Sequence, residues 1–330
     1  MKRTFLSGLI LSLLCAGLLV LVVWKAAASD CGKTSTGLIP LTELGSAAYQ
    51  GMQGGLYPEG SNTRPFVHEA AGLGMADLIT PRKWNGKPKK KGRIVLLSIG
   101  MSNTTMEFSA FKSMADLDPD KNPRLVIVDG AQGGMAANII TDPNDPKYQE
   151  FWETVDSRLD QAGVSAKQVQ VAWVKQADIR PTAAFPADAI ALQAELEQIA
   201  RLLAERFPNL RIAYYSSRIY AGYASTSLNP EPFAYQSGFA VKWMIEKQIS
   251  GSPELNYDKS LGEVRAPWLA WGPYLWADGL DARADGLTWA CSEYNDDGTH
   301  PAAAARTKVA RMLLDFFKSD STAAPWFVAR

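Results

Sequence analysis

Of 330 residues only two, His68 and His300, carry an imidazole, the side chain best suited to move protons near neutral pH. His300 has the chemically richer setting. It stands in Asp297-Gly298-Thr299-His300-Pro301, where a carboxylate three residues upstream can turn back onto the ring, fix its tautomer and stabilise the imidazolium formed in proton transfer. A nucleophile for such a base is Ser102, in Ile94-Val95-Leu96-Leu97-Ser98-Ile99-Gly100-Met101-Ser102-Asn103. A serine that follows a strand and opens a helix exposes its own backbone N–H as well as its hydroxyl, and Gly100 permits a tight exit from the strand. A serine in that place is more often only a helix N-cap, so Ser102 gains weight from Asp297 and His300. His68, in Arg64-Pro65-Phe66-Val67-His68-Glu69, has no such neighbour and reads as a structurally satisfied histidine.

These groups are far apart in sequence and need a frame that brings residues 102 and 300 together. From Gly92 onward short β-branched or apolar runs alternate with longer amphipathic ones, the pattern of a parallel sheet wrapped by helices. Strands are expected at 93–99, 125–128, 169–174, 211–215 and 268–271, and helices near 148–162, 187–206, 233–248 and 302–317. In 187–206, Leu192, Leu196, Ile199 and Leu203 form one stripe, Glu195, Glu197, Arg201 and Glu205 lie off it, and Phe207-Pro208-Asn209 stops the helix. Such a series makes a doubly wound sheet whose ligands bind beyond the carboxyl ends of the strands, so functional residues should follow strands. Residues 30–91 lack strong periodicity and are rich in Gly and Pro, as in Gly54-Gly55-Leu56-Tyr57-Pro58-Glu59-Gly60. They read as an irregular N-terminal extension packed on the core, with Tyr57, Asn62, Arg64 and His68 open to contact with substrate.

Taken together, the blocks resemble the SGNH/GDSL hydrolases. Gly100-Met101-Ser102-Asn103 is similar to that family's Gly-Asp-Ser, and closer to the Gly-Gln-Ser-Asn of its carbohydrate acetylesterase branch; Asp297-Gly298-Thr299-His300 matches its C-terminal Asp-x-x-His. Val128-Asp129-Gly130-Ala131-Gln132-Gly133-Gly134 resembles the block whose last glycine donates a backbone N–H to the oxyanion, which points to Gly134, with Gly133 as the alternative. In the third block, Val171-Ala172-Trp173-Val174-Lys175-Gln176-Ala177-Asp178, the family's oxyanion-donating amide is replaced by Lys175 or displaced to Gln176. A lysine there could hold an oxyanion, or form a structural ion pair with Asp129 or Asp178. The resemblance implies an α/β, flavodoxin-like, three-layer SGNH-type domain over 92–330. It also implies a serine esterase with Ser102, His300 and Asp297 as triad, an oxyanion hole from Ser102, Gly134 and Lys175 or Gln176, and no metal or organic cofactor. An acyltransferase acting on envelope glycans and a non-catalytic carbohydrate-binding protein are the rival readings. An O-acetylated carbohydrate is the first substrate class, with Asn103 beside the nucleophile. Of the aromatic group Trp268, Trp271, Tyr274, Trp276 and Trp289, Tyr274 and Trp276 follow a strand end and are expected to meet substrate.

Composition narrows the rest. Thirty-four basic and thirty-four acidic residues cancel, leaving no global field to gather nucleic acid, and Lys87-Pro88-Lys89-Lys90-Lys91 reads as a solvated loop. Lys2 and Arg3 precede an apolar run from Phe5 to Trp24 and the small residues Ala26-Ala27-Ala28-Ser29. That order fits a secretory signal, and a run of roughly 20 residues also suffices as a membrane anchor, so residues 1–29 place the globular part outside the cytoplasm on either reading. Cys15 lies within this run. Cys31 and Cys291 remain, as a disulfide or as two free thiols.

Overall fold

The computed structural model describes residues 28–329. The signal or anchor read over 1–29, and Cys15 within it, therefore fall almost wholly outside the described residues. Five strands, β1 (Ile94–Gly100), β2 (Leu125–Asp129), β3 (Val169–Lys175), β4 (Ile212–Tyr215) and β5 (Trp268–Trp271), form one sheet of order β2-β1-β3-β4-β5, all parallel. Every residue of β1, β3, β4 and β5 is buried, which is why these strands read as near-continuous apolar runs and not as alternation: helices cover both faces.

Six helices matter to the site: α1 (Phe66–Asp77), α2 (Ser102–Asp116), α3 (Tyr148–Gln161), α4 (Ala187–Arg206), α5 (Phe233–Ile249) and α6 (Ala303–Ser319). α2 packs on α6 and α4 on α5, giving the flavodoxin-like three-layer α/β architecture. The stripe expected on α4 is the buried one, with Leu192, Leu196, Ile199 and Leu203 all facing the core. Strand order reverses at β1, since the chain steps from β1 to β2 on one side and then crosses to β3 on the other. That topological switch opens a crevice at the carboxyl end of β1, where Ser102 lies.

The extension is more ordered than its composition suggests. It holds a helical turn at Leu41–Leu44, a two-stranded ribbon pairing Ala48–Tyr49 with Met52–Gln53, and the whole of α1. The buried face of α1 is His68, Gly72 and Ala76, while Phe66 is 86% and Val67 79% exposed. With small residues inside and apolar ones outside, no 3.6-residue hydrophobic pattern exists to be read. α1 docks on β4 and β5. A side chain at Gly72 would strike the Trp268 indole, which itself donates Nε1–H to the His68 carbonyl at 3.1 Å. His68 bonds the Leu269 carbonyl through Nε2 at 2.8 Å and stacks on Trp268, the structural role expected of it. Cys31 and Cys291 form a disulfide with Cα atoms 5.4 Å apart. Among the described residues no helix is long and apolar enough to cross a membrane.

Candidate active site

Ser102 is the first residue of α2, so its backbone N–H has no acceptor within the helix and points, with the positive end of the helix dipole, into the crevice. Its Oγ lies 2.7 Å from His300 Nε2, and His300 Nδ1 lies 2.5 Å from Asp297 Oδ2. With Nδ1–H donating to the carboxylate, Nε2 is left to accept the serine proton. The tight turn that makes this contact depends on Gly298, whose φ of 63° lies in the left-handed region and where a Cβ would collide with the Tyr223 carbonyl. Asp297 also accepts from the backbone N–H of Thr299 at 3.0 Å and of His300 at 2.9 Å. Partial burial alone would raise its carboxyl, but the His300 backbone and ring and the Thr299 backbone together hold it below its ordinary value.

The loop carrying the histidine is tied down at several points. Asn295 N–H donates to the His300 carbonyl at 2.8 Å, and Asn103 Nδ2 donates to the Thr299 carbonyl at 3.0 Å. Asn103 thus lines the cleft and couples α2, which begins at Ser102, to the loop that carries His300. Ser29 N–H bonds the Asp296 carbonyl, next to the disulfide at Cys291.

On the other side of Ser102, the β2 loop is fixed by Asp129, which accepts from Ser98 Oγ at 2.6 Å, from Ser109 Oγ at 2.9 Å and from Thr105 Oγ1. Gln132 spans the loop to the Phe151 carbonyl at 2.9 Å. The loop delivers Gly133 and Gly134 beside the serine: a Cβ on Gly133 would lie 3.8 Å from that of Ser102, and Gly134 has a φ of 75°. Gly134 lines the cleft with Met101, Ser102, Asn103, Ile179, Arg218, Leu228, Thr299 and His300 around about 290 Å³. Larger depressions of about 510 and 500 Å³ lie elsewhere, but neither contains a nucleophile beside a base, so chemistry and not volume selects the site.

Four expected site residues are not in this cleft. Lys175 is 1% exposed and its Nζ grips both carboxylate oxygens of Glu107 on α2; it is neither an oxyanion donor nor paired with Asp129 or Asp178. Burial pulls the Lys175 ammonium down and pushes the Glu107 carboxyl up, each opposing the other's shift. Gln176 is spent on the backbone, donating to the Met135 carbonyl at 2.8 Å and accepting from Ala177 N–H at 3.1 Å. Tyr274 and Trp276 are core residues: the Tyr274 hydroxyl accepts from Leu41 N–H at 3.1 Å, and Trp276 Nε1–H donates to Glu231 at 2.8 Å. The chain turns back over the strand end here, so aromatic residues past β5 pack beneath the extension. Tyr57, Asn62 and Arg64 line a separate depression, with Arg64 paired to Glu69 and Asp320.

Sequence reasoning passed over Arg218 and Glu107. Arg218 stands three residues past β4, where functional residues are expected in such a sheet. Glu107 is one turn beyond Ser102, beside the buried Phe108 and Phe111; a charge on an otherwise apolar helix face was the readable sign of an internal partner.

A serine hydroxyl, an imidazole and a carboxylate thus stand in one hydrogen-bonded line at the switch point of a flavodoxin-like sheet, the arrangement that serine acyl transfer requires. No protein-family model and no curated protein matches the chain. Among solved structures it is similar to a GDSL-like lipase of Parabacteroides merdae, at 12% identity over 72% of this chain and 97% of that one, with a TM-score of 0.37. It is also similar to an acylhydrolase of Bacteroides fragilis (12%, 77% and 96%, 0.38). A third is the periplasmic domain of a lipopolysaccharide acetyltransferase of Salmonella ser. Paratyphi A (13%, 76% and 94%, 0.36). Likeness this distant assigns no residue a role.

Proposed function

We propose that the chain is an exported serine ester hydrolase of the SGNH/GDSL type. The observation that carries this reading is the continuous hydrogen-bonded line from Ser102 Oγ through His300 to Asp297, open to a cleft. In the reaction His300 Nε2 takes the Ser102 proton as Oγ attacks the ester carbonyl. The resulting oxyanion lies against the backbone N–H groups of Ser102 and Gly134, and collapse expels the alcohol, protonated by His300. Water, deprotonated by the same imidazole, then cleaves the acyl-enzyme and frees the acid. Asp297 keeps the ring in the productive tautomer throughout. No step calls for a cofactor.

The cleft sits at the small end of ligand sites, roughly 300–1,000 Å³, which favours a short acyl group, and the Ser102-Asn103 resemblance favours an O-acetylated carbohydrate. Export is supported by the Cys31–Cys291 bond, which persists in oxidising compartments, and by the Lys2-Arg3 and apolar pattern ahead of it. The test is release of 4-nitrophenol from its acetate and longer acyl esters, beside Ser102→Ala. Removing the nucleophile of such a triad costs on the order of 10⁶ in kcat; hydrolysis by the variant at the parent rate would reject Ser102 as nucleophile.

A further inference from the structure

Among the described residues, Arg218 is the only Lys or Arg lining the cleft. It is 3% exposed, and among its guanidinium nitrogens Nε and Nη2 have no hydrogen-bond partner. A guanidinium remains charged in a protein interior, and a buried charge without hydrogen-bonded compensation costs several kcal/mol. Its two nearest acidic neighbours do not supply it. Both oxygens of Glu107 are held by Lys175, and Glu231 is occupied by Ala221 N–H, Trp276 Nε1–H and Tyr235 N–H. These carboxylates balance the charge of Lys175 and Arg218 through space, while Nε and Nη2 of Arg218 stay unfilled. Among the cavities of the described residues, the one that Arg218 lines is the cleft, and its unpaired Nε and Nη2 lie behind that wall, sealed from solvent.

Position separates two uses of this charge. Backbone donors for an oxyanion lie at Ser102, after β1, and at Gly134, after β2. Arg218 follows β4, a strand two places from β1 and three from β2 in the sheet, so it enters the cleft from a different strand end than either backbone donor. Between them the wall is apolar, with Met101, Ile179 and Leu228, as in sites where one charged group fixes the orientation of an otherwise apolar ligand.

The geometry points to Arg218 as an anion-recognition residue: the ester this site accepts carries a carboxylate, or a small oxyanion of the same shape, across the cleft from the bond that is cleaved. Arg offers such a group paired N–H donors in a planar fork, which a lysine cannot. This inference rests on the ester hydrolase reading.

The experiment compares kcat/KM for two pairs of esters: 4-acetoxybenzoate against phenyl acetate, with the charge on the alcohol, and methyl hydrogen glutarate against methyl valerate, with the charge on the acyl group. The expected result is a preference of tenfold or more for the charged member of one pair. That ratio should fall towards one in Arg218→Met and be retained in part in Arg218→Lys. Equal rates within both pairs for the parent protein, or a ratio unchanged in Arg218→Met, overturn the inference; the first of these needs no variant to fold. If the parent hydrolyses none of the four esters, the hydrolase reading fails by itself, and calorimetry with 4-hydroxybenzoate and glutarate then decides about Arg218. Binding lost in Arg218→Met supports the anion site; absence of binding to the parent rejects it.

Discussion

Replacing Lys175 separates a structural cation from a catalytic one. In Lys175→Met the Glu107 carboxylate, 0% exposed, loses the one ammonium that holds both its oxygens. Breaking a buried pair by removing one partner costs about 3–5 kcal/mol, a large part of the stability of an ordinary domain. In the double variant Lys175→Met with Glu107→Leu, no uncompensated charge is left, and the Arg218 and Glu231 charges still offset one another. Apolar replacement of a whole buried pair is often neutral or stabilising, so most of the loss should return. Urea titration measures the stability, and 4-nitrophenyl acetate turnover at a temperature where every variant is folded measures the chemistry. The double variant should keep kcat/KM within a few-fold of the parent. Removal of an oxyanion donor costs roughly 10²–10³ in kcat; a drop of that size in a stable double variant would refute the structural assignment of Lys175.

Three further outcomes follow from the geometry. Burial, aided by Arg64, pulls the His68 imidazole down to about 4 from 6.5, so its contribution to stability is complete above pH 6.5 and is lost as pH falls towards 4. The unfolded chain protonates first, which removes about 2 kcal/mol between pH 7.5 and pH 5; His68→Gln should show a correspondingly flatter urea midpoint across that range, and an identical slope would contradict this. Asp297→Asn should leave the fold intact by circular dichroism and lower kcat by about 10⁴ through the wrong imidazole tautomer; a loss under tenfold would remove Asp297 from the mechanism. Reduction of Cys31–Cys291, which closes a loop of 260 residues, should lower stability by about 5.6 kcal/mol in the chain-entropy estimate, and an unchanged melting temperature in dithiothreitol would count against it.

How much of this was legible varied with the physics of each element. The strands were readable because a parallel strand covered on both faces has to be apolar throughout, and α4 because one of its faces is wet. α1 was hidden, since its contact with Trp268 requires a glycine at 72 and the rest of its buried face is only His68 and Ala76. At the site, Asp297 and His300 are three residues apart, so the turn that joins them is a local matter. Ser102 reaches them only through strand order, which the alternation of elements implied. The four misplaced residues share one cause: spacing from a strand end fixes where a backbone goes, but not whether the next side chain turns to the cleft or into the core. Lys175 found its partner one helical turn past the serine, on an element whose facing residues could be named only once the helix was set against the sheet.

The two ends of the described chain leave the protein from opposite poles. Ser29 is fastened to Asp296 and, two residues on, Cys31 is bonded to Cys291, at the rim occupied by the Asp297–His300 turn. Ala329 instead donates to the Asp120 carbonyl, ahead of β2, at the edge away from the cleft. A bead, an electrode or an affinity handle joined directly ahead of Ser29 would press on the segment bonded to Asp296 and Cys291 and strain the adjoining Asp297–His300 turn. The same handle joined after Ala329 would leave that turn untouched, so immobilised preparations of this protein should differ in turnover according to which end is held.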